Sequence, residues 1–228
     1  GVAVCYRDPG VASFGLENAL FPIGNQLLEV VAPVEETTAG GRYLARRGGN
    51  GGYMVITQCD DHDPRRARVS ELGVRLVADQ DGPEYRLMQL HPKDTGGTFF
   101  EIDEQLGDTA HEEDGPWHPA GPNWQRAKQT GRVAGIVGAE VQCDDPAKVA
   151  ERWAEIAEIE LQGTTMQLQN AEVRFVSISD GRPEGLSAID VVANDREAII
   201  AAAAIVDGVI NEHQIELCGL RINLLNAQ

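Results

Sequence analysis

Tyr53-Met54-Val55-Ile56-Thr57-Gln58-Cys59-Asp60-Asp61 ends in a tetrapeptide that returns as Gln142-Cys143-Asp144-Asp145. Each copy closes an apolar, β-rich run and opens a run with helical signals. After the first copy, Asp61 stands at a helix cap, Pro64 falls in the first turn, and Gly73 stops the helix near Leu72. After the second, Pro146–Glu160 carries Val149, Trp153, Ile156 and Ala157 at helical spacing. The same context met twice predicts a chain built from copies of one strand-helix unit. A further start lies at Ser187–Ala193, followed by an alanine-rich helix over Asp195–Asp207.

Outward from these starts the chain reads as strands. Ala19–Gly24 and Gln26–Val31 are apolar runs joined by the turn dipeptide Gly24-Asn25. Residues 35–52 carry two short helical turns and end in the glycine-rich break Gly48–Gly52. Strands are expected at Tyr85–Leu90, Thr98–Ile102, Ala134–Gln142, Met166–Leu168 and Glu172–Ser177, and in one or two pieces over Ile215–Leu225. Residues 103–130 differ in character. They hold acids, Pro-Gly steps, His111, Trp117 and His118, and read as a long connection packed by its tryptophans. Residues 1–34 look like the trailing strands of a unit that lacks its beginning, so a strand and a helix of roughly 20–30 residues are expected upstream.

Composition narrows the function classes. The 228 residues carry a formal charge of −17. That charge argues against a nucleic-acid partner, which needs a basic surface, and against anionic membranes. No run is long enough and apolar enough to span a bilayer, Ile199–Val206 included. Cys5, Cys59, Cys143 and Cys218 form no Cys-x-x-Cys pair and sit in or beside apolar runs, which fits buried free thiols in a reducing cytoplasm. The partner expected is a small molecule, with a homodimer as an open alternative. His62, His111 and His118 lack metal-ligand spacing, Gly48–Gly52 is followed by no Lys-Ser/Thr phosphate motif, and no Gly-x-Ser-x-Gly elbow occurs. Arg42, Arg46 and Arg47 read as a solvated helix face or as an attractor for an anionic ligand.

His91-Pro92-Lys93-Asp94-Thr95-Gly96-Gly97-Thr98-Phe99-Phe100-Glu101-Ile102 resembles the closing hairpin of methylmalonyl-CoA epimerases. Leu28-Glu29-Val30-Val31-Ala32-Pro33 resembles the strand that ends the first module of the same group. With four strand-helix-strands units, the chain resembles the vicinal oxygen chelate superfamily of glyoxalase I, bleomycin-resistance proteins and methylmalonyl-CoA epimerases, in its bacterial glyoxalase-like branch. The resemblance implies an α+β fold of paired βαβββ modules forming two cup-shaped mixed sheets, with the first module incomplete at its N-terminus. It implies a first domain at 1–105, a connection at 106–130 and a second domain at 131–228.

In that superfamily a divalent ion held by one residue from each of four strands chelates two substrate oxygens, while a carboxylate moves a proton. Carried over position by position, the first ligand falls outside this sequence. The second falls on Glu29, the third on Met54 (or on Tyr53 with a one-residue slip), and the fourth on Glu101. Glu29 and Glu101 are therefore the candidate catalytic carboxylates and the candidate metal ligands, for an ion such as Mg²⁺, Mn²⁺ or Zn²⁺. Metal-free proton transfer stays open, because Met54 and Tyr53 bind a hard ion poorly. Without a histidine at the third position an extradiol dioxygenase is disfavoured. Met54, His91, Lys93 and Phe99 are the candidate substrate-binding residues. In the second half, counting from Cys143 sets Gly138 opposite Met54. Aligning the Ile-Asp pairs at 102–103 and 189–190 sets Ala188 opposite Glu101, unless that strand begins a fourth module. Neither residue is a ligand.

These residues imply a glyoxalase-like protein that binds a small polar molecule in the first cup, as a lyase or isomerase acting by proton transfer. A non-enzymatic sequestering protein of the bleomycin-resistance type is the alternative. A third reading is a scaffold whose cup is closed by Phe21, Phe99 and Phe100.

Overall fold

The computed structural model describes residues 2–227. A 3-10 turn at Pro9–Phe14 leads into the hairpin β1 (Leu16–Ile23) and β2 (Gln26–Pro33), then α1 (Ala39–Arg47). Next come β3 (Met54–Gln58), α2 (His62–Glu71), β4 (Leu76–Asp81) and β5 (Tyr85–Leu90), the single turn α3 (Pro92–Thr95), and β6 (Phe99–Gln105). The connection holds 3-10 turns at His118–Ala120 and Trp124–Ala127. Then follow β7 (Val133–Cys143), α4 (Pro146–Ala157), β8 (Leu161–Gln162), β9 (Thr165–Gln167) and β10 (Glu172–Ser177). The chain ends with β11 (Gly185–Ala193), α5 (Arg196–Ala204), β12 (Val209–Asn211), β13 (Gln214–Leu217) and β14 (Leu220–Asn226). The fold is α+β with open, mixed sheets.

By contacts the chain divides into two compact units, one of residues 1–51, 112–137 and 189–228, the other of 52–111 and 138–188. This division runs along different lines from the sequence segments 1–105 and 131–228.

In the first unit β1 and β2 pair antiparallel around the Gly24-Asn25 turn. Gly24 has φ +65°, and a Cβ there would lie 2.3 Å from the Ala134 carbonyl oxygen, so both the turn and the close approach require glycine. Leu20, Ala120 and Trp124 form a small core with Cys5, Leu27 and Trp117 against it. The Trp124 indole N–H donates to the Gly115 carbonyl oxygen at 3.0 Å, which lets a polar edge be buried. In a different sheet from this hairpin, strands run in the order β12-β13-β14-β11. Asp195 caps α5 by accepting from the Ala198 N–H at 3.0 Å.

The second unit holds two sets of strands with the same order, β3-β6-β5-β4 and β7-β10-β9-β8. In each the first strand lies parallel to the last, and the remaining neighbours are antiparallel. In each set the chain between the two parallel strands passes through a helix, α2 or α4, and then through the two antiparallel strands. Asp61 caps α2 and Asp145 caps α4, as the two tetrapeptides suggest. The glutamines of those tetrapeptides do a further job. Gln58 Nε2 donates to the Ala110 carbonyl oxygen at 3.0 Å, in the loop after β6. Gln142 Nε2 donates to the carbonyl oxygens of Arg182 and Pro183 at 3.3 and 3.2 Å, in the loop after β10.

The core of this unit is aromatic. Trp153 from α4 stacks on Phe100 of β6 and meets Phe175 of β10 edge-on, with centroids 4.1 and 5.3 Å apart. Met88, Leu90, Val69 and Ile156 complete it, each fully buried or nearly so. The reading of four thiols as buried needs one correction. Cys143 is buried and Cys5 and Cys59 are half-buried, but Cys218 is exposed in the turn between β13 and β14, at φ +51°.

Candidate functional site

The alternation of β6 sets the candidate site. Phe99, Glu101, Asp103 and Gln105 share one face of the strand, and Phe100, Ile102 and Glu104 the other. Ile102 and Phe100 belong to the core against α2 and α4. The opposite face is polar yet buried: Glu101 is 7 % exposed and Asp103 fully buried. Sheet register brings Tyr85, Leu87 and Gln89 of β5 and Met54, Ile56 and Gln58 of β3 onto that face.

Each acid on this face has a neutral donor. Gln89 Nε2 donates to Glu101 Oε2 at 2.9 Å, and the Tyr85 hydroxyl donates to Asp103 Oδ2. Asp103 Oδ1 is buried without a hydrogen-bond partner. Burial pushes the Asp103 carboxyl well above its ordinary range, and the neighbouring Glu101 pushes it further. The Tyr85 hydrogen bond opposes both and does not overcome them. A buried carboxyl whose charged form is disfavoured beside a second carboxyl is an arrangement suited to proton transfer.

Glu29 stands in the first unit, on β2. Asn18 of β1 donates from Nδ2 to Glu29 Oε1 at 2.6 Å. Asn18 is itself fixed, accepting from the Asp8 N–H at 2.8 Å. Burial raises the Glu29 carboxyl above its ordinary range, the Asn18 hydrogen bond pulls it back, and the charge of Asp8 raises it again.

The other candidates divide. Met54 comes to the site, its Sδ 3.7 Å from Gln89 Nε2. Phe99 lies beside Tyr53, with centroids 5.1 Å apart. His91 caps α3, its Nδ1 accepting from the Lys93 N–H at 3.2 Å, and Lys93 is exposed. Phe100 is a correction to the scaffold reading. It faces α4 and cannot close a cup on the Glu101 side. Gln89, Tyr85 and Asp103 escaped the sequence reading. The signal for Asp103 was available: Glu101-Ile102-Asp103 alternates polar and apolar with period two.

The residues present do not fit the metal that the fold implies. Among the described residues, no group of three or more His, Cys, Asp or Glu side chains is placed to hold an ion. At the third position stands the thioether of Met54, a poor ligand for a hard divalent cation.

The second strand set corrects another expectation. Residues 138 and 172 pair as Met54 and Phe99 do, so the position matching Glu101 is Arg174 on β10, not Ala188. Ala188 lies in β11, after the set is complete. Arg174 pairs with Glu172 at 2.8 Å and with Glu140 at 3.9 Å. A cation here replaces the carboxylate of the first set.

The model of the glyoxalase-like domain matches residues 7–157, more than half of the chain. The chain belongs to the glyoxalase-like domain family. The superfamily indicated by the His91–Ile102 and Leu28–Pro33 stretches is thus the one it falls in. Among solved structures, methylmalonyl-CoA epimerase from Mycobacterium tuberculosis is 26 % identical, with 47 % of this glyoxalase-like chain and 73 % of that one covered, at a TM-score of 0.41. A Streptomyces coelicolor methylmalonyl-CoA epimerase in complex with 2-nitronate-propionyl-CoA is 24 % identical, with 47 % and 81 % covered, at 0.41. A hypothetical protein from Bacillus halodurans is 20 % identical, with 47 % and 78 % covered, at 0.40. No curated protein matches this chain.

Proposed function

We propose that this glyoxalase-like protein binds a small polar molecule against the acidic face of β6 and acts on it as a lyase or isomerase by proton transfer. The observation that carries the reading is the buried pair Glu101 and Asp103, held by Gln89 and Tyr85 rather than by the helix-side core. In this scheme Glu101 takes a proton from an acidic C–H or O–H of the ligand, and Asp103 holds a proton beside it. Glu29, tied to Asn18 in the first unit, is proposed as a separate candidate proton acceptor. His91, Lys93 and Phe99 would contribute to ligand binding. The duplication marked by the two tetrapeptides is read as pairing modules within 1–105 and within 131–228, with 106–130 joining the pairs.

The sequestering alternative draws support from one observation, the thioether of Met54 at a position that metal enzymes of the superfamily give to a ligand. Proton exchange separates the two. Small 2-oxo, 2-hydroxy and malonate-type acids are screened by thermal shift, and those that bind are incubated with the protein in D₂O and followed by NMR. Exchange of a ligand C–H with solvent, lost in Glu101→Gln, is expected of the enzyme. Binding with no exchange for any ligand would sink the enzymatic reading and leave the sequestering one.

A further inference from the structure

We infer that Gln89 stands where the fold's metal ion would stand, so that Glu101 is positioned by an amide and the site works without a divalent cation. The inference rests on Glu101 belonging to the ligand site. It starts from a convergence. Met54 and Glu101 are the residues onto which the superfamily's third and fourth ligand positions fall, and they lie on different strands. The sheet brings both to a single atom, Nε2 of Gln89, which is 3.7 Å from Met54 Sδ and 2.9 Å from Glu101 Oε2.

Register explains why. Gln89 of β5 is directly opposite Glu101 of β6, and Ile56 of β3 is opposite Glu101 from the other side. Met54 is two residues before Ile56 and so shares its face. A carboxamide reaching from β5 therefore passes over β6 toward β3.

The chemistry of that atom is what excludes an ion. An N–H presents a hydrogen of partial positive charge to the carboxylate, and it occupies an acceptor site on Oε2 and the space between that oxygen and the Met54 sulfur. A Mg²⁺ or Mn²⁺ ion seeks oxygen donors, and Met54 supplies sulfur. To admit the ion, Gln89 would have to turn its oxygen inward and give up both contacts. The next carboxyl on the face, Asp103, is likewise met by a neutral donor, the Tyr85 hydroxyl. Gln89 is thus a positioning residue that does the orienting a metal does elsewhere in the superfamily. The ligand is then recognised through N–H or O–H groups that can donate to carboxyl oxygens, not through oxygens that chelate an ion.

The test titrates the chain with Mn²⁺ alone and follows the free ion by electron paramagnetic resonance. Wild type is compared with Glu101→Gln and with two variants built to gain a ligand, Gln89→Glu and Met54→His. Wild type is expected to take up no ion at millimolar Mn²⁺. At least one gain variant is expected to bind roughly tenfold or more tightly than wild type, because each puts a hard donor beside Glu101. A variant that folds only when Mn²⁺ is present counts as uptake. One ion bound by wild type and lost in Glu101→Gln overturns the inference, as does failure of both gain variants to take up the ion. No organic ligand is present, so these outcomes are independent of the ligand screen. Failure of the proposed function shows in that screen instead.

Discussion

Gln142 donates through Nε2 to Asp180 Oδ1 at 2.7 Å, and the same nitrogen holds two carbonyl oxygens of the loop after β10. Gln58, at the same place in the first tetrapeptide, holds the loop after β6 by one bond, to Ala110. Gln142 is fully buried, so its loss strands acceptors that water cannot reach. Gln142→Ala is expected to cost about 1–3 kcal/mol and Gln58→Ala about 1 kcal/mol, read from urea unfolding. Amide exchange should quicken in residues 178–184 for the first and 106–111 for the second. Equal costs with no local change in exchange would remove the clip from the account. Burial raises the Asp180 carboxyl, but hydrogen bonds from Gln142 and Arg182 overcome it and hold the group at about 2. Its folded value is depressed, so its contribution is present above the ordinary carboxyl range and is lost as pH falls toward 2. Without Gln142 the folded value rises toward the ordinary one, so the window narrows and less stability is lost across it.

Trp153 lies flat on Phe100, with planes 8° apart, and is itself fully buried. Its indole N–H donates to the Gly96 carbonyl oxygen at 3.3 Å. Trp153→Ala leaves a large cavity between α4 and the strands and is expected to cost about 3–5 kcal/mol. Trp153→Phe keeps the stacking and loses that one bond, while the Gly96 carbonyl oxygen still accepts from the Thr95 hydroxyl at 3.3 Å, so it should cost less. Chemical denaturation followed by circular dichroism measures both. Near-equal stability of the alanine variant and wild type would show that the aromatic stack does not carry this core.

Much of this was legible because the deciding features are local. The Gly24-Asn25 turn, the caps at Asp61 and Asp145, and the stop at Gly73 each follow from the conformation that one residue type favours. Strand β4 was missed because Leu76–Asp81 is mostly exposed and ends in acids, so it shows no apolar alternation. Pro92–Thr95 reads as a turn and is a helical turn, because His91 supplies a cap through its ring. The candidate site was legible only at its ends. Met54 and Glu101 came from a family pattern, whereas Gln89 and Tyr85 are joined to them by sheet register, which a single sequence does not encode locally.

The cysteines should separate by reactivity. Burial pushes the Cys59 thiol up to about 11 and the Cys143 thiol up to about 12, so neither forms thiolate at neutral pH. Cys5 is raised as well, again by burial. Cys218 is exposed. A disulfide reagent such as Ellman's reagent is expected to label Cys218 quickly in the native protein at pH 7.5. Cys59 and Cys143 should react only on unfolding. Fast labelling that persists in Cys218→Ser would contradict the exposures given to these four thiols.

Asp103 predicts a pH dependence of the opposite sign to that of Asp180. Burial and the adjacent Glu101 raise its carboxyl well above 3.8, so the folded chain binds this proton more tightly than the unfolded chain. Between the ordinary carboxyl range and the raised folded value, the native state holds more protons than the unfolded state. Stability then falls as pH rises through that window, by at most about 1.4 kcal/mol per pH unit for one proton. Below the window Asp103 is neutral in both states and the cost vanishes. Asp103→Asn keeps an acceptor for the Tyr85 hydroxyl and has no proton to lose. The variant should match or trail wild type at the ordinary carboxyl range, gain on it as pH rises through the window, and level off above it, with unfolding followed in urea at each pH. Glu101→Gln should give part of the same gain, since it removes one of the two causes of the Asp103 shift. If the stability difference between wild type and Asp103→Asn stays constant across this range, Asp103 titrates as an ordinary carboxyl, and the buried pair loses its standing as the proton-handling element of the site.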